Sequence, residues 1–251
     1  MKDSALRLQD KTIFLVGPFN GVSQAILRTM TEFGADVGFV SEHQYAGKFV
    51  EGVNEAREVH PEYGRAAQFN LPLTNEKQIS EALGRVAESL GRMDILIDVT
   101  PLGWTAQTAP DAATTVCREL AAKLIPFFQA KQRGRIVYVF EDPALDQLRT
   151  EPPPQGCREA LTSAIEDMAK SHRGQNITIN ALSLGVTEDF LLKINPRSPS
   201  IKRSLEELQK THPGIKLVEF HDVSLGTAYV ASALSASLTG QVLRLTHGFH
   251  L

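Results

Sequence analysis

Short apolar runs alternate with longer amphipathic segments over most of the chain. Seven of these runs are rich in β-branched or other apolar residues, which is typical of strands buried on both faces of a parallel sheet. The predicted strands are Thr12–Val16, Asp36–Val40, Arg65–Asn70, Asp94–Asp98, Arg135–Phe140, Thr178–Ser183 and Gln241–Leu245.

Between these runs, apolar residues recur at helical spacing. Val116, Leu120 and Leu124, for example, are four residues apart and form one stripe. The predicted helices are Ser23–Phe33, Asn75–Leu90, Ala112–Gln132 and Gln155–Arg173. The alternation predicts a Rossmann-like, doubly wound α/β fold, in which seven mostly parallel strands are flanked by helices and joined by right-handed crossovers. No repeat or linker divides the sequence, so residues 1–251 are predicted to form a single domain.

The alternation is interrupted by residues 186–221. This segment contains the turn-rich run Asn195–Ser200 and six lysines and arginines. We expect an inserted, mobile segment near the carboxyl ends of the strands, where open α/β sheets form their binding crevice. We interpret it as a substrate lid. Its basic residues fit either a solvated surface, which we favour, or a contact with an anionic ligand.

Composition narrows the function only by exclusion. The 251 residues carry a formal charge of −3, which gives no electrostatic reason to expect a nucleic-acid partner. Cys117 and Cys157 are the only cysteines, and the seven histidines form no HExxH or other close cluster, so neither a disulfide framework nor a metal site is expected. No apolar run approaches the roughly 20 residues of a membrane span, and the first residues form no apolar signal core. We therefore expect a cytoplasmic protein that binds a small molecule and has no membrane partner.

The first predicted strand leads into the turn Gly17–Ser23, which precedes a helix. The backbone N–H groups of such a turn, together with the helix dipole, can bind a pyrophosphate. Gly21 permits close approach of a ligand, and Asn20 tolerates unusual backbone angles. The motif alone fits a plain tight turn equally well, and Ser23 also fits a helix N-cap.

Several motifs, in order, resemble those of the short-chain dehydrogenase/reductase family. The turn resembles its TGxxxGxG motif, with Val16 and Ser23 replacing the threonine and the last glycine. Residues 238–243, Leu-Thr-Gly-Gln-Val-Leu, followed by Gly248-Phe249, resemble its C-terminal TGQxxxVDGGF. Further matches lead into the fourth, fifth and sixth strands, at Gly91–Ile97, Gly134–Val137 and Ile177–Asn180. The chain is identified as a divergent member of this family. The resemblance implies a nicotinamide cofactor and a homodimer or homotetramer, with the helices predicted at 112–132 and 155–173 forming the dimer.

The resemblance also places the cofactor contacts. The matching positions are Gly17, Asn20, Gly21, Val22, Ser41, Glu42, Asn70, Leu71 and Thr100. An acid at Glu42 binds ribose hydroxyls and repels a 2′-phosphate, which favours NAD over NADP. Asp98-Val99-Thr100-Pro101 replaces the family's NNAG motif, and Asp98 would repel a pyrophosphate unless it is paired or points elsewhere. We therefore expect NAD binding that is weak or absent.

The catalytic residues of the family do not carry over. Its reductases use a serine, a tyrosine and a lysine four residues after the tyrosine, and the matching positions here hold Glu141, Pro154 and Arg158. All four tyrosines lie outside the interval between the fifth strand and the insertion, so no local gap restores a Tyr-x-x-x-Lys motif. Proline has no ionisable proton, and arginine stays protonated. Tyrosine-based carbonyl reduction is therefore not expected.

Two interpretations of this remodelled centre remain open. In one, Glu141, Asp142, Asp98 and Arg158 converge near the strand ends and perform acid/base chemistry in a partly dry cleft. In the other, which we favour, Glu141 and Arg158 form a structural ion pair. Trp104 fits either a ligand-pocket wall or a hydrophobic lid contact.

Three functions remain compatible with the sequence, and whether the chain is an enzyme stays open. The first is an atypical family member that binds NAD(H) weakly and acts on a small organic substrate. The second is a non-redox enzyme on the same scaffold, such as a lyase or a dehalogenase-like protein. The third is a catalytically silent binding or oligomer-forming subunit. Likeness of fold does not decide among them.

Overall fold

Seven parallel strands and eight α-helices make up the described part of the chain. The structure is a computed structural model that describes residues 6–73, 75–154 and 156–249. The strands are β1 (Thr12–Val16), β2 (Asp36–Val40), β3 (Ala66–Phe69), β4 (Ile95–Asp98), β5 (Gly134–Glu141), β6 (Ile177–Leu184) and β7 (Val242–Leu245). They form one sheet in the order β3-β2-β1-β4-β5-β6-β7, and each neighbouring pair is parallel. The chain reverses its direction of travel across the sheet between β1 and β4, which creates a topological switch point.

The seven strand predictions are confirmed, each to within one residue at either end. Every residue of β1 and of β6 is buried. A strand covered on both faces has no solvent side on which polar residues would be favoured, so apolar residues predominate: β1 is apolar from Ile13 to Val16, whereas β6 also buries Thr178, Asn180 and Ser183. That is why these strands were visible in the sequence.

Helices cover both faces of the sheet, which confirms the doubly wound α/β prediction. They are α1 (Gly21–Glu32), α2 (Ala46–Val59), α3 (Glu76–Leu90), α4 (Pro110–Ala130), α5 (Gly156–Ser171), α6 (Glu188–Ile194), α7 (Ile201–Thr211) and α8 (Phe220–Ala231). Residues of α1, α2 and α8 share one apolar core with the sheet, and residues of α3, α4 and α5 share a second. Phe14 and Leu15 of β1 belong to different cores because neighbouring side chains of a strand point to opposite faces. Within the described residues, no helix is long and apolar enough to cross a membrane.

The four predicted helices correspond to α1, α3, α4 and α5, although Gln155, the predicted first residue of the last one, lies outside the described residues. The helices α2 and α8 were missed. Along its 14 residues α2 buries only Ala46, Val50 and Val53, which is too sparse for a clear stripe. In α8 the buried residues lie on one face, but the opposite face includes Leu225, Gly226 and Tyr229, so no strongly polar face marks the helical period.

Residues 186–221, the predicted insertion, contain two helices that the sequence analysis did not predict. These are α6 and α7, whose first turns are capped by the side chains of Thr187 and Ser200. Phe190 of α6 packs with Leu145 and residues of α7 in a third, smaller apolar core. The helix α6 was missed because it has only seven residues. In α7 the apolar residues Ile201, Leu205 and Leu208 recur at helical spacing and pack against the third core, so this helix was detectable in the sequence.

Candidate functional site

A cavity of about 820 Å³ opens at the carboxyl ends of the first four strands. It lies over the switch point, where doubly wound sheets bind their ligands, and its volume is in the range of small-molecule sites. Five of the residues predicted to contact a cofactor line it: Gly17, Ser41, Glu42, Leu71 and Thr100. Asn70, which was also predicted, is exposed beyond the end of β3 and is not among the lining residues.

The cavity wall combines aromatic and apolar side chains with a few polar groups. Phe19 and His43 both line it, and their ring centroids lie 5.1 Å apart. Trp104 lines the cavity from the loop after β4, as the pocket interpretation of this residue predicts. Aromatic walls of this kind suit a planar group that can stack on them.

Gly17 allows the turn after β1 to press against the loop after β4. Its φ angle is +139°, and a Cβ atom built there would lie 2.7 Å from the carbonyl carbon of Val99 and from the backbone nitrogen of Thr100. Both the backbone conformation and the close approach require glycine at this position. The narrow junction fixes the floor of the cavity between β1 and β4.

Asp98 ends β4 and is buried behind the cavity wall. Its Oδ1 atom accepts hydrogen bonds from the backbone N–H and the hydroxyl of Thr100, at 2.9 and 2.6 Å. Burial raises the pKa of the Asp98 carboxyl, although these hydrogen bonds oppose the shift. The described residues provide no hydrogen-bond partner for Oδ2. Asp98 therefore orients Thr100 in the cavity wall.

The N-terminus of α1 holds the other three predicted cofactor residues. Asn20 caps the helix, because its side chain accepts a hydrogen bond from the N–H of Ser23 at 2.9 Å. The N–H groups of Gly21 and Val22 donate to the two carboxylate oxygens of Asp189, at 3.0 and 2.9 Å. Asp189 belongs to the first turn of α6, 168 residues beyond Gly21. The amides predicted to contact a pyrophosphate thus contact a carboxylate of the chain itself.

The predicted ion pair between Glu141 and Arg158 is wrong. Glu141, at the end of β5, pairs through Oε2 with Arg149 and through Oε1 with Lys193, the latter at 2.9 Å. Arg158, on α5, instead pairs with Asp146 at 2.6 Å. A short 3₁₀ helix after β5 brings in Asp146 and is followed directly by Arg149, so each predicted partner meets a different charge.

Asp142 and Asp98, which were expected to converge with Glu141 and Arg158, have hydrogen-bond partners of their own. Asp142 accepts a hydrogen bond from the hydroxyl of Ser183 at 2.8 Å and caps the 3₁₀ helix through the N–H of Ala144 at 3.0 Å. Asp98 has its own partner in Thr100. Each of these two carboxylates is therefore held by groups other than Glu141 and Arg158.

The helix α6 supplies the contacts that the sequence did not reveal. Besides Asp189 at its start, Lys193 near its end donates to the carbonyl oxygen of Leu102 at 2.5 Å. The guanidinium of Arg149 lies 4.8 Å from the ring centroid of Phe190. The run Thr187-Glu188-Asp189 is a recognisable helix start, because a threonine N-cap precedes acids in the first turn. It gives no indication of which distant group the acids contact.

Metal and thiol chemistry find no support in the described residues. The searched part of the chain has no group of three or more histidine, cysteine, aspartate or glutamate side chains that could hold a metal ion. Cys117 and Cys157 are buried, and burial raises the pKa of both thiols. Both cysteines lie in the apolar core that α3, α4 and α5 share with the sheet.

The fold and the cavity together define a Rossmann-like α/β domain, with a glycine turn between β1 and α1 and a pocket over the switch point. A family model described as enoyl-(acyl carrier protein) reductase matches residues 17–250. The chain therefore belongs to this family of short-chain dehydrogenases/reductases, as its motifs predicted.

Relatives are similar to the chain over most of its length. It is 25% identical to an uncharacterized oxidoreductase, YvrD, of Bacillus subtilis (strain 168), over 72% of this chain and 70% of that protein. It is 21% identical to 3-oxoacyl-(acyl-carrier-protein) reductase FabG of Thermotoga maritima, over 97% of this chain and 99% of that protein.

Solved structures share the fold at low sequence identity. L-sorbose reductase from Gluconobacter frateurii, complexed with NADPH and L-sorbose, has a TM-score of 0.81 at 15% identity and covers 98% of both chains. A hydroxysteroid dehydrogenase from Escherichia coli has a TM-score of 0.79 at 19% identity, covering 97% of this chain and 98% of that one.

Proposed function

We propose that this chain is a nucleotide-binding member of the family that holds the adenosine half of NAD(H), binds the whole dinucleotide weakly, and does not reduce carbonyl groups through a tyrosine. One contrast carries the proposal. The β1–β4 side of the sheet edge keeps a cavity of about 820 Å³, whereas the end of β5, where the family's chemistry would occur, is filled by ion pairs.

The ion pairs support a structural role for the residues at the catalytic positions. Glu141 is buried, and each of its two carboxylate oxygens has a cationic partner. Arg158 is buried against Asp146, and a guanidinium stays protonated at any physiological pH. Pro154 has no ionisable side chain. None of the three therefore supplies the mobile proton that carbonyl reduction requires.

The open cavity supports binding of an adenosine group. Ser41 and Glu42 follow β2, Leu71 follows β3, and Thr100 follows β4, so apolar and polar contacts surround one space. The exposed carboxylate of Glu42 can accept hydrogen bonds from ribose hydroxyls and repels a 2′-phosphate. These features favour NAD(H) over NADP(H).

Calorimetric titration with NADH, NADPH and adenosine tests the proposal. We expect NADH to bind in the millimolar range, NADPH to bind more weakly, and adenosine to compete with NADH. Substitution Val116→Trp, which fills part of the cavity from α4, should abolish adenosine binding while leaving the circular dichroism spectrum unchanged. Loss of NADH absorbance that depends on an added aldehyde or ketone would overturn the proposal, and so would the absence of any binding at millimolar concentrations.

We also propose that residues 186–221 cover the carboxyl edge of the sheet, as expected of a lid. Contacts of α6 support this role, because they reach the turn after β1, the loop after β4 and the end of β5. Limited proteolysis should cut this segment more slowly when adenosine is present. Equal cutting rates with and without saturating adenosine would contradict a covering role.

We further infer a homodimer or homotetramer in solution. The helices α4 and α5, which the family resemblance pairs in the dimer, lie side by side, and Phe127 on α4 is 49% exposed, so a partner chain could cover it. Light scattering at micromolar concentration should give two or four times the 27.5 kDa of one chain. A clean monomer would reject the inference, and Phe127→Glu should shift an existing dimer towards the monomer.

A further inference from the structure

The backbone N–H groups around the start of α1 already have partners within the chain. Within the turn, the N–H of Asn20 donates to the hydroxyl of Ser23, the N–H of Ser23 to the side chain of Asn20, and the N–H of Gln24 to the carbonyl oxygen of Asn20. The remaining two, from Gly21 and Val22, are the donors that a phosphate would normally use at a helix N-terminus. They donate to a carboxylate of α6 instead.

That carboxylate, Asp189, is held in place from both ends of its helix. Thr187 caps α6 by accepting a hydrogen bond from the N–H of Phe190 at 3.2 Å. Near the other end, Lys193 is tied to Glu141 at 2.9 Å and to the carbonyl oxygen of Leu102 at 2.5 Å. Withdrawing the carboxylate from α1 therefore requires α6 to move against these contacts.

The space above the turn is closed as well. A Cβ atom built on Gly21 would overlap the ring of Phe220 and would lie 3.0 Å from Oδ1 of Asp189. Phe220 is the first residue of α8 and packs against the apolar core that α1, α2 and α8 share with the sheet. A diphosphate approaching Gly21 would meet an aromatic ring and a negative charge.

We propose that Asp189 is a specificity-determining residue: it occupies the anion position at the N-terminus of α1, so that the cavity accepts an uncharged nucleoside-type ligand and disfavours ligands that carry a diphosphate. The inference rests on the proposed function for the nature of the nucleoside group. The exclusion of the diphosphate depends on the contacts of Asp189 and Phe220 at the start of α1, and not on the nature of the nucleoside group. It also accounts for weak NAD(H) binding in a chain whose adenosine side remains open.

Titration of inorganic pyrophosphate, NADH and adenosine into the wild-type chain and Asp189→Ala tests this role. Asp189→Ala frees two amide donors and removes a like charge, so it should bind pyrophosphate and NADH at least about tenfold more tightly than the wild type. Adenosine affinity should stay the same. The matched control is Glu188→Ala, which removes a negative charge from the same helical turn without touching the amides of α1, and which should behave as the wild type.

Equal pyrophosphate affinity in the wild type and Asp189→Ala would overturn the inference. If adenosine binds to none of the variants while pyrophosphate tightens on Asp189→Ala, the proposed function fails and the role of Asp189 stands. Asp189→Asn removes the charge but keeps one acceptor, and it serves if the alanine variant does not fold. Hydrogen exchange gives an independent readout on the wild type, because the amides of Gly21 and Val22 should exchange as slowly as that of Ser23, and rapid exchange at both would contradict the contact.

Discussion

The two halves of one sheet edge differ in the segments that connect their strands to the next elements. After β1 to β4 the chain continues into turns and, after β4, a short 3₁₀ helix, and the small and aromatic residues of these segments, including Gly17, Ser41 and Trp104, surround a cavity. After β5 and β6 it folds back over the edge as a 3₁₀ helix and α6, and it fills that half with charged side chains that pair with one another. The parallel strands are alike in both halves, so the loops and helices after them decide whether a pocket forms.

On the proposed function, a family fold keeps a ligand cavity and loses the family's chemistry. Glu141 at the end of β5 has cationic partners within the chain, which supports a structural role in that proposal. Several groups in the β1–β4 half, such as Glu42 and His43, are exposed at the cavity. The proposed function thus assigns ligand recognition to one half and no turnover to the other, because fold and function are separable.

The largest expected effect comes from breaking the filled half. Glu141→Ala leaves Arg149 buried without its partner and removes the anchor of Lys193, so the free energy of unfolding should fall by about 3–5 kcal/mol. Urea unfolding measures the change. The control is Glu81→Ala on α3, which breaks an exposed pair with Arg85 and should cost no more than about 1 kcal/mol. If the two variants unfold at the same urea concentration, the buried ion pairs are not what holds this half closed.

A substitution at the floor of the open half should have the next largest effect. Gly17→Ala forces a side chain into a positive φ angle and against the backbone of Val99, and it should cost more than about 2 kcal/mol in unfolding free energy. Gly52→Ala in α2 meets open space and should instead stabilise the chain by about 0.5–1 kcal/mol. Thermal unfolding of both variants checks the opposite signs. A neutral Gly17→Ala variant would mean that the β1–β4 junction is looser than the structure shows.

Ligand selectivity in the open half should change by a smaller amount. Glu42→Ala removes the carboxylate that opposes a 2′-phosphate, so the ratio of NADPH to NADH affinity should rise by about tenfold, equivalent to about 1.4 kcal/mol. Competition against adenosine measures both affinities on one scale. Glu51→Ala, an exposed acid of α2 that does not line the cavity, should leave the ratio unchanged. An unchanged ratio in Glu42→Ala would place the ribose elsewhere.

The smallest expected effect is a pH dependence of the unfolding free energy that comes from Asp98, which is buried behind the cavity wall. Because the pKa of Asp98 is raised on folding, the folded chain retains this proton over a pH range in which the unfolded chain has lost it. Its contribution to stability therefore declines as the pH rises from the ordinary carboxyl pKa through the raised pKa of Asp98. Asp98→Asn cannot titrate, so the difference in unfolding free energy between it and the wild type should vary with pH in this window. A difference that stays constant over this pH window would contradict the assignment to Asp98.

The sequence by itself determined the strands, the class of sheet and the family. These depend on local patterns, because a strand buried on both faces must be apolar over consecutive residues, and the glycine turn and the C-terminal motif are contiguous. The family motifs in the sequence also identified five predicted cofactor contacts, including Ser41 and Leu71, that line one cavity in the structure. They come together because the carboxyl ends of parallel strands meet at one edge of the sheet. The absence of a tyrosine between β5 and residue 186 needed no structure either.

Only the tertiary structure decided which charges meet. Glu141 could pair in principle with any nearby cation, and the alignment with the family motif predicted Arg158. The 3₁₀ helix and α6 bring Arg149 and Lys193 to Glu141 instead. The contact of Asp189 with the start of α1 joins residues 168 positions apart. Attraction between charges is not specific to one partner, so the packing of rigid elements, and not the residue types alone, selects which charged groups pair. The same packing places Asp189 against the amides at the start of α1.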